Sequence, residues 1–434
     1  MRHNRFTRFV PSAAVRFGSH RLRGPSGRAE WADATMGEAM LHRLGVVVGL
    51  LILALAPAHA QELITKKQVF ELPSFTTQSG RTLKNVKVGW ESYGDLNADK
   101  SNAILICHFF SGTGHAAGKY AEAEKVPGYW DAIIGPGKAI DTSKYFVFSS
   151  DTLVNLSPGD PNVTTTGPAS IDPDTGQPYG YLSEKNDKGF PIVSIRDFIE
   201  VQKTLVDSLG IKKLVMVGGA SMGGIQTYEW AAAYPDMVGR IMPVISSAEA
   251  DAGLIDWLDI WAMPIRLDPK WNTGDYYGRE PPLAGFSQAL KIVTLHAQTN
   301  AWATGAFGSK WAKEGESPLK SFSNRYLVET ALDNAGAARA KTSDANSFLY
   351  LVRANQLFAE GAAERIKAIK APALLIYSPG DLVFPAESVR RTGDALKANG
   401  AAVELVELQG NRGHLDGVLN IKQAEKAIAA FLAK

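Results

Sequence analysis

The stretch with the clearest capacity for chemistry is residues 214–234, LVMVGGASMGGIQTYEWAAAY. Residues 214–217 are a short apolar run that reads as a buried strand. Gly218 to Gly224 turn the chain, and a helical pattern follows until Pro235. Within it, Gly219-Ala220-Ser221-Met222-Gly223 has the spacing G-x-S-x-G. A serine held on a tight strand-to-helix turn needs neighbours without a Cβ two residues to either side, because the backbone passes close to itself there. Such a turn pushes Ser221 Oγ outward and sets the Met222 N–H at a helix N-terminus, where partial positive charge can stabilise an oxyanion. In a chain with 41 glycines the pentapeptide alone is a weak signal. The strand before it, the helix after it and the partners downstream give it weight.

Serine is a poor nucleophile without a base in hydrogen-bond reach. Residues 61–434 contain four histidines: His108, His115, His296 and His414. His414 closes Gly410-Asn411-Arg412-Gly413-His414, a loop after the last strand pattern, and Asp381 follows the apolar run 373–377 in Ser378-Pro379-Gly380-Asp381. Ser221, Asp381 and His414 are therefore expected as nucleophile, orienting carboxylate and base. Asp416 is a rival acid, badly placed two residues beyond the base, and His296 reads as a core or substrate-facing residue. The loop His108-Phe109-Phe110-Ser111-Gly112 is positioned to supply a second oxyanion donor, the Phe110 N–H beside that of Met222. Its glycine-rich continuation lacks the G-x-G-x-x-G spacing of a dinucleotide site, and the histidines show no H-E-x-x-H or paired-ligand pattern. No cofactor and no metal are expected. Cys107, the single cysteine, lies in an apolar strand pattern and reads as a buried, inert thiol.

These residues need a scaffold of strands and helices. Residues 68–72 and 86–93 alternate apolar and polar, as in an antiparallel pair, while 102–107 and 145–149 are continuous apolar strands. Residues 158–180, rich in Gly, Pro, Asp and Thr, form a surface loop. Residues 194–209 read as a helix, capped by Ser194 with Asp197 and stopped by Gly210, with one face apolar except for Gln202. Strand 241–245 follows the elbow helix. Residues 246–368 then break the alternation with tryptophan-rich helical patterns and loops at 267–282 and 305–318. Strand 373–377, a helix over about 387–398, strand 403–408 and a last helix restore it. The fold class is α/β, a mostly parallel, doubly covered sheet with an inserted helical lid. The core is residues 61–245 and 369–434, and the lid is 246–368.

Residues 1–60 are expected to be removed. The thirteen apolar residues 44–56, preceded by Arg43 and followed by Ala58-His59-Ala60, read as a secretory signal, too short for a membrane span. Met40 gives a signal of ordinary length, and an arginine-rich organelle-targeting segment is the alternative. Export to the periplasm or beyond, with no stable membrane anchor, is the expectation. Residues 1–60 carry eight arginines and three acids, so without them 46 basic and 44 acidic residues become 38 and 41, a net of −3. No nucleic-acid partner is implied.

The chain resembles the homoserine O-acetyltransferase family of α/β-hydrolase-fold enzymes from about residue 65 to its end. CHFFSGTGHAAG, TGPASIDPDTGQPYG, GGASMGGIQTYEWAAAYPD, DPKWNTGDYY and DANSFLYLVRA carry the likeness. The resemblance implies the same triad and oxyanion donors, and a homodimer built through lid helices. It also exposes two departures. Counting back from Asp268, Ala262 stands where the acetyltransferases carry the arginine that grips the substrate carboxylate. Leu415 stands where the family tends to place an acid that meets the homoserine amine. Arg266 and Arg353 are candidates to replace the missing arginine, and Trp261, with Trp257 and Phe348, to form an apolar wall. The first functional reading is an exported serine hydrolase that cleaves a small-molecule ester, or an amide or thioester, through acyl-Ser221. The alternative is an O-acyltransferase with altered acceptor specificity. A non-catalytic binding protein would not need all three triad groups.

Overall fold

The alternating patterns assemble into one eight-stranded sheet in the computed structural model, which describes residues 63–434. The expected signal segment lies outside the described residues. In chain order the strands are β1 (Gln68–Thr76), β2 (Thr82–Tyr93), β3 (Ala103–Cys107), β4 (Phe146–Ser150), β5 (Met216–Ala220), β6 (Ile241–Val244), β7 (Ala373–Tyr377) and β8 (Val403–Glu407). Their spatial order is β1-β2-β4-β3-β5-β6-β7-β8. β1 pairs antiparallel with β2 and β2 antiparallel with β4; every later pairing is parallel.

The continuous apolar runs are strands covered on both faces. Every residue of β3, β5 and β7 is buried, and the period of two divides them between two cores. Leu105, Cys107 and Val217 face one apolar cluster with Phe198, Ile225 and Trp230; Ile104, Ile106 and Met216 face the other with Trp130, Ile428 and Phe431.

Helix α1 (Ile195–Ser208) begins with the expected capping box: Ser194 Oγ accepts from the Asp197 N–H, and Asp197 Oδ2 accepts from the Ser194 N–H at 2.7 Å. Gln202, the polar residue on its apolar face, is buried with partners. It accepts from Trp230 Nε1–H at 2.7 Å and donates to Gln226 Oε1 at 2.9 Å, tying α1 to α2 (Met222–Ala233). Strand boundaries differ from the sequence reading in places: β1 runs on past residue 72 to Thr76, and β2 begins at Thr82 instead of residue 86. β5 runs on to Ala220, so Gly218 and Gly219 are strand residues and the turn contracts to Ser221 alone.

Between β6 and β7 the chain leaves the sheet for six helices: α3 (Ala252–Leu267), α4 (Leu283–His296), α5 (Asn300–Phe307), α6 (Leu327–Ala340), α7 (Ala345–Gln356) and α8 (Ala362–Ala368). α4 and α6 approach closely because Gly336 leaves room; a Cβ there would sit 2.4 Å from the Ser287 carbonyl oxygen. After β7 come α9 (Ala386–Ala398), α10 (Asp416–Leu419) and α11 (Glu425–Ala433). Among the described residues no helix is long and apolar enough to cross a membrane.

Candidate active site

The elbow is built by two close approaches. A Cβ on Gly219 would lie 2.5 Å from the Gly223 carbonyl, and one on Gly223 would lie 2.1 Å from the Cys107 oxygen. Ser221, squeezed between them, holds φ 55° and ψ −119°, a conformation costing a non-glycine residue roughly 1–3 kcal/mol. Its N–H bonds the β6 carbonyl of Val244 at 2.9 Å, and its own carbonyl accepts from Ile225 N–H at 3.0 Å, so the sheet and α2 hold the strain from both sides.

His414 and Asp381 arrive from loops after β8 and β7. His414 Nε2 is 2.8 Å from Ser221 Oγ, and His414 Nδ1 is 2.8 Å from Asp381 Oδ2. Asp381 Oδ1 accepts the backbone N–H groups of Val383 and Phe384 at 2.8 and 3.0 Å. With the carboxylate an acceptor on both oxygens, Nδ1 carries the imidazole proton and Nε2 is left to accept from the serine. That arrangement can remove the Ser221 proton during attack on a carbonyl.

The loop after β3 is clamped rather than free. His108 Nε2 accepts from Thr152 N–H at 3.2 Å, so its Nδ1–H donates to the Phe109 carbonyl at 2.8 Å. Gln226 Nε2 donates to the His108 carbonyl at 3.2 Å, and Asn155 Nδ2 to that of Gly112 at 3.0 Å. Burial lowers the His108 pKa and keeps it neutral, as this bonding requires. Among the described residues no acceptor takes the N–H of Phe110 or of Met222. The glycine-rich continuation serves structure: Gly114 N–H bonds Asp151 Oδ1 at 2.7 Å, and His115 Nδ1 meets the buried Glu91 at 3.0 Å. Cys107 is fully buried, and burial pushes its thiol pKa far up.

A cavity of about 250 Å³ opens over Ser221 and His414. Its walls are mainly apolar: Phe109 and Phe110 from the clamped loop, Trp261 from α3, Val293 and Ala297 from α4 and its end, and Val383, Leu415 and Val418 near the acid and base. Trp261 stands edge-on to Phe110, 5.7 Å between centroids, and donates its Nε1–H to His296 Nδ1 at 3.2 Å. His296 Nε2–H then donates to the Leu382 carbonyl at 3.1 Å. Burial holds the His296 pKa down at about 4, so it remains a neutral prop for Trp261.

Ser221, Asp381, His414, Phe110, Met222 and Trp261 are thus brought together, while Arg266 and Arg353 are not. Arg266 lies five positions beyond Trp261, on another side of α3, and pairs with Asp259 at 2.5 Å. Arg353 is exposed on α7 between buried Val352 and Ala354. Phe348 backs Phe110 at 5.1 Å instead of lining the cavity, Trp257 stacks on His296 at 4.0 Å, and Ala262 is fully buried and does not line the cavity. Leu415 does face the cavity. Asp416 is fully buried beneath it, accepting from Ser378 Oγ at 3.0 Å and Asn420 Nδ2 at 2.6 Å.

The residue the sequence reading missed is Arg339, in the last turn of α6, which lines the cavity beside Thr294. The run Ala335-Gly336-Ala337-Ala338 before it was the available signal, since small residues let α6 settle on α4 and carry the arginine inward.

Residues 166–417 match the model of the alpha/beta hydrolase fold family. A homoserine O-acetyltransferase of Methanococcoides burtonii is 38% identical over 362 residues, covering 82% of this chain and 71% of that protein. Among solved structures, esterase E22 superposes with a TM-score of 0.80 at 45% identity, covering 85% of this chain and 100% of that one. The homoserine O-acetyltransferase of Bacillus anthracis superposes with the same score at 35% identity, over 86% and 98%.

Proposed function

The chain belongs to the homoserine O-acetyltransferase-like branch of the α/β-hydrolase fold and is an enzyme of the esterase and acyltransferase type; on that premise we propose that it transfers acyl groups through an ester on Ser221. The observation that carries the reading is the continuous hydrogen-bonded line Asp381–His414–Ser221, with bonds of 2.8 Å, at the floor of an apolar cavity. Ser221 Oγ attacks the substrate carbonyl while its proton passes to His414 Nε2, and the oxyanion settles on the N–H groups of Phe110 and Met222. Collapse of the tetrahedral species breaks the bond to the leaving alcohol, which departs with the His414 proton and leaves acyl-Ser221. His414 then deprotonates the acceptor, and the acceptor's attack frees the serine.

The related acetyltransferases favour an alcohol as that acceptor, which puts O-acyl transfer ahead of hydrolysis. The acceptor is not expected to be recognised as homoserine is in the family, because Leu415 presents no acid to an amine and Asp416 is turned into the core. Water as acceptor is the second reading, favoured by the same apolar wall and by the 45% identity to esterase E22. In either case the acyl donor is a small molecule. Helices α3 to α8 act as a lid, and the chain is exported by its apolar segment 44–56. A homodimer through the lid is the remaining proposal carried by the family resemblance.

The test is p-nitrophenyl acetate turnover with and without homoserine or other small alcohols, following nitrophenol release and the fate of the acetyl group, with Ser221→Ala as control. Acetylated alcohol establishes transfer, whereas free acetate unaffected by any alcohol establishes hydrolysis. Full release by Ser221→Ala, or no acetyl adduct on Ser221 by mass spectrometry, would remove the acyl-serine mechanism.

A further inference from the structure

Lys291 on α4, Arg325 just before α6 and Arg339 on α6 come together where these helices pack, and among the described residues only the first two have an acid. Lys291 Nζ is 2.6 Å from Asp333 Oδ1 and Arg325 Nη2 is 2.9 Å from Asp333 Oδ2, so both oxygens of that carboxylate are engaged. Arg339, on the same helix as Asp333, has no acid of its own. Its guanidinium donates to Thr294 Oγ1 at 3.1 Å, and among the described residues no carboxylate stands within ion-pair distance of it. The remainder of its five N–H donors find no acceptor there. Burial acts on this side chain without an opposing charge, since desolvation alone shifts its pKa, and it does so downward.

A cation in the last turn of a helix is usually explained by the helix dipole. Arg339 does not fit that account, because its side chain crosses to α4 instead of folding back on the carbonyls of α6. It reaches the cavity that holds Ser221 and His414, whose other walls include Phe110, Trp261, Val293 and Leu415. A guanidinium facing an apolar cavity is costly without a counter-ion, and its planar fork matches a carboxylate. Thr294 holds one arm and leaves the rest free to bind.

We propose that Arg339 is the anion receptor of the active-site cavity, so that the substrate is a small ester carrying a carboxylate a few bonds from the reacting carbonyl. This rests on the acyl-Ser221 reading and names its substrate class. The cavity of about 250 Å³ is of a size to hold a short chain. The carboxylate belongs either to the acyl part, as in the hemiester of a dicarboxylic acid, or to the alcohol part, as in an acylated hydroxy acid.

Two matched pairs, each differing by one methyl group and the charge, separate these sources. Mono-p-nitrophenyl glutarate is compared with its methyl ester for the acyl side, and 4-acetoxybutanoate with its methyl ester for the alcohol side. In one pair the carboxylate raises kcat/KM by on the order of 10- to 100-fold, the range of a charge-assisted hydrogen bond. Arg339→Met brings that ratio to about one, and Arg339→Lys falls between. Because each ratio is taken within one preparation, a partly misfolded variant does not distort it. The proposal is overturned if both ratios are near one in the parent enzyme, or if Arg339→Met keeps the preference.

A second readout does not need turnover. Titration calorimetry of monomethyl glutarate and of 4-acetoxybutanoate into the Ser221→Ala protein should show binding of the carboxylate that Arg339→Met/Ser221→Ala loses. Acetyl-Ser221 formation without charge discrimination defeats only the receptor. Carboxylate binding lost with Arg339, but no acyl-enzyme from any ester, defeats only the function.

Discussion

Replacing Asp381 by asparagine separates the chemistry of the acid from its structural work. The side chain accepts at both ends: Oδ1 from the N–H groups of Val383 and Phe384, and Oδ2 from His414 Nδ1–H. An asparagine has one acceptor oxygen, and two backbone donors compete for it against one imidazole. The amide oxygen therefore takes the Oδ1 position and its NH₂ faces His414. An NH₂ donates, so Nδ1 must accept and the imidazole proton moves to Nε2. Nε2, 2.8 Å from Ser221 Oγ, then becomes a donor and cannot take the serine proton.

The expected loss in kcat is about 10⁴-fold, the size known for a wrong-tautomer triad. Stability should hardly change, because both backbone bonds survive. Asp381→Ala strands those two buried N–H groups, at about 1–3 kcal/mol each, so it should lose stability as well as activity. The assay is p-nitrophenyl acetate turnover at neutral pH, with urea unfolding of all three proteins. An Asp381→Asn enzyme within tenfold of the parent would refute the tautomer argument. An equal loss of stability in the two variants would refute the bonding account.

Gly223→Ala places a Cβ 2.1 Å from the Cys107 oxygen and should destabilise the protein beyond the usual overpacking range of about 1–3 kcal/mol; a thermal midpoint near that of the parent would count against the close-approach explanation of the elbow. Gln202→Leu leaves Trp230 Nε1–H buried without an acceptor and should cost about 1–3 kcal/mol, and a double-mutant cycle in urea with Trp230→Phe, which removes that donor, should show the two losses to be less than additive. His296, held neutral by burial with a pKa of about 4, contrasts with an unfolded imidazole near 6.5. The unfolded chain binds the extra proton in that window, so this contribution is whole above pH 6.5 and is lost as the pH falls towards and through 4. The thermal midpoint of His296→Gln should therefore fall less between pH 7 and pH 4.5 than that of the parent; parallel curves would dismiss the assignment.

Much of the site could be read along the chain because its signals are local. Each triad member closes or follows an apolar strand pattern, and Ser221 is flagged by two glycines whose neighbours, once seen, sit within 2.6 Å of a would-be Cβ. The capping box of α1 and the strand alternation are local in the same way. Arg339 was hidden because its meaning depends on α4 lying beside α6, and the sequence of α6 shows only a basic residue near a helix end. Nothing local in the sequence tells whether Arg266 or Arg353 reaches the cavity, and helical phase turns both away from it. Gln202 was visible as an exception on an apolar face, but its partners Trp230 and Gln226 belong to another helix.

Ser221 and His414, the proposed nucleophile and base, are 193 residues apart in the chain, and Asp381 lies 33 residues before His414. A ribosome therefore exposes the serine long before the histidine exists. A nascent or truncated chain that already contains the elbow carries a hydroxyl of ordinary reactivity, and it cannot acylate itself on the esters around it. On the proposed mechanism, reactivity is switched on only when β7 and β8 have joined the sheet and their loops have met over Ser221. Labelling of Ser221 by an activated ester is thus a clock for the completion of folding.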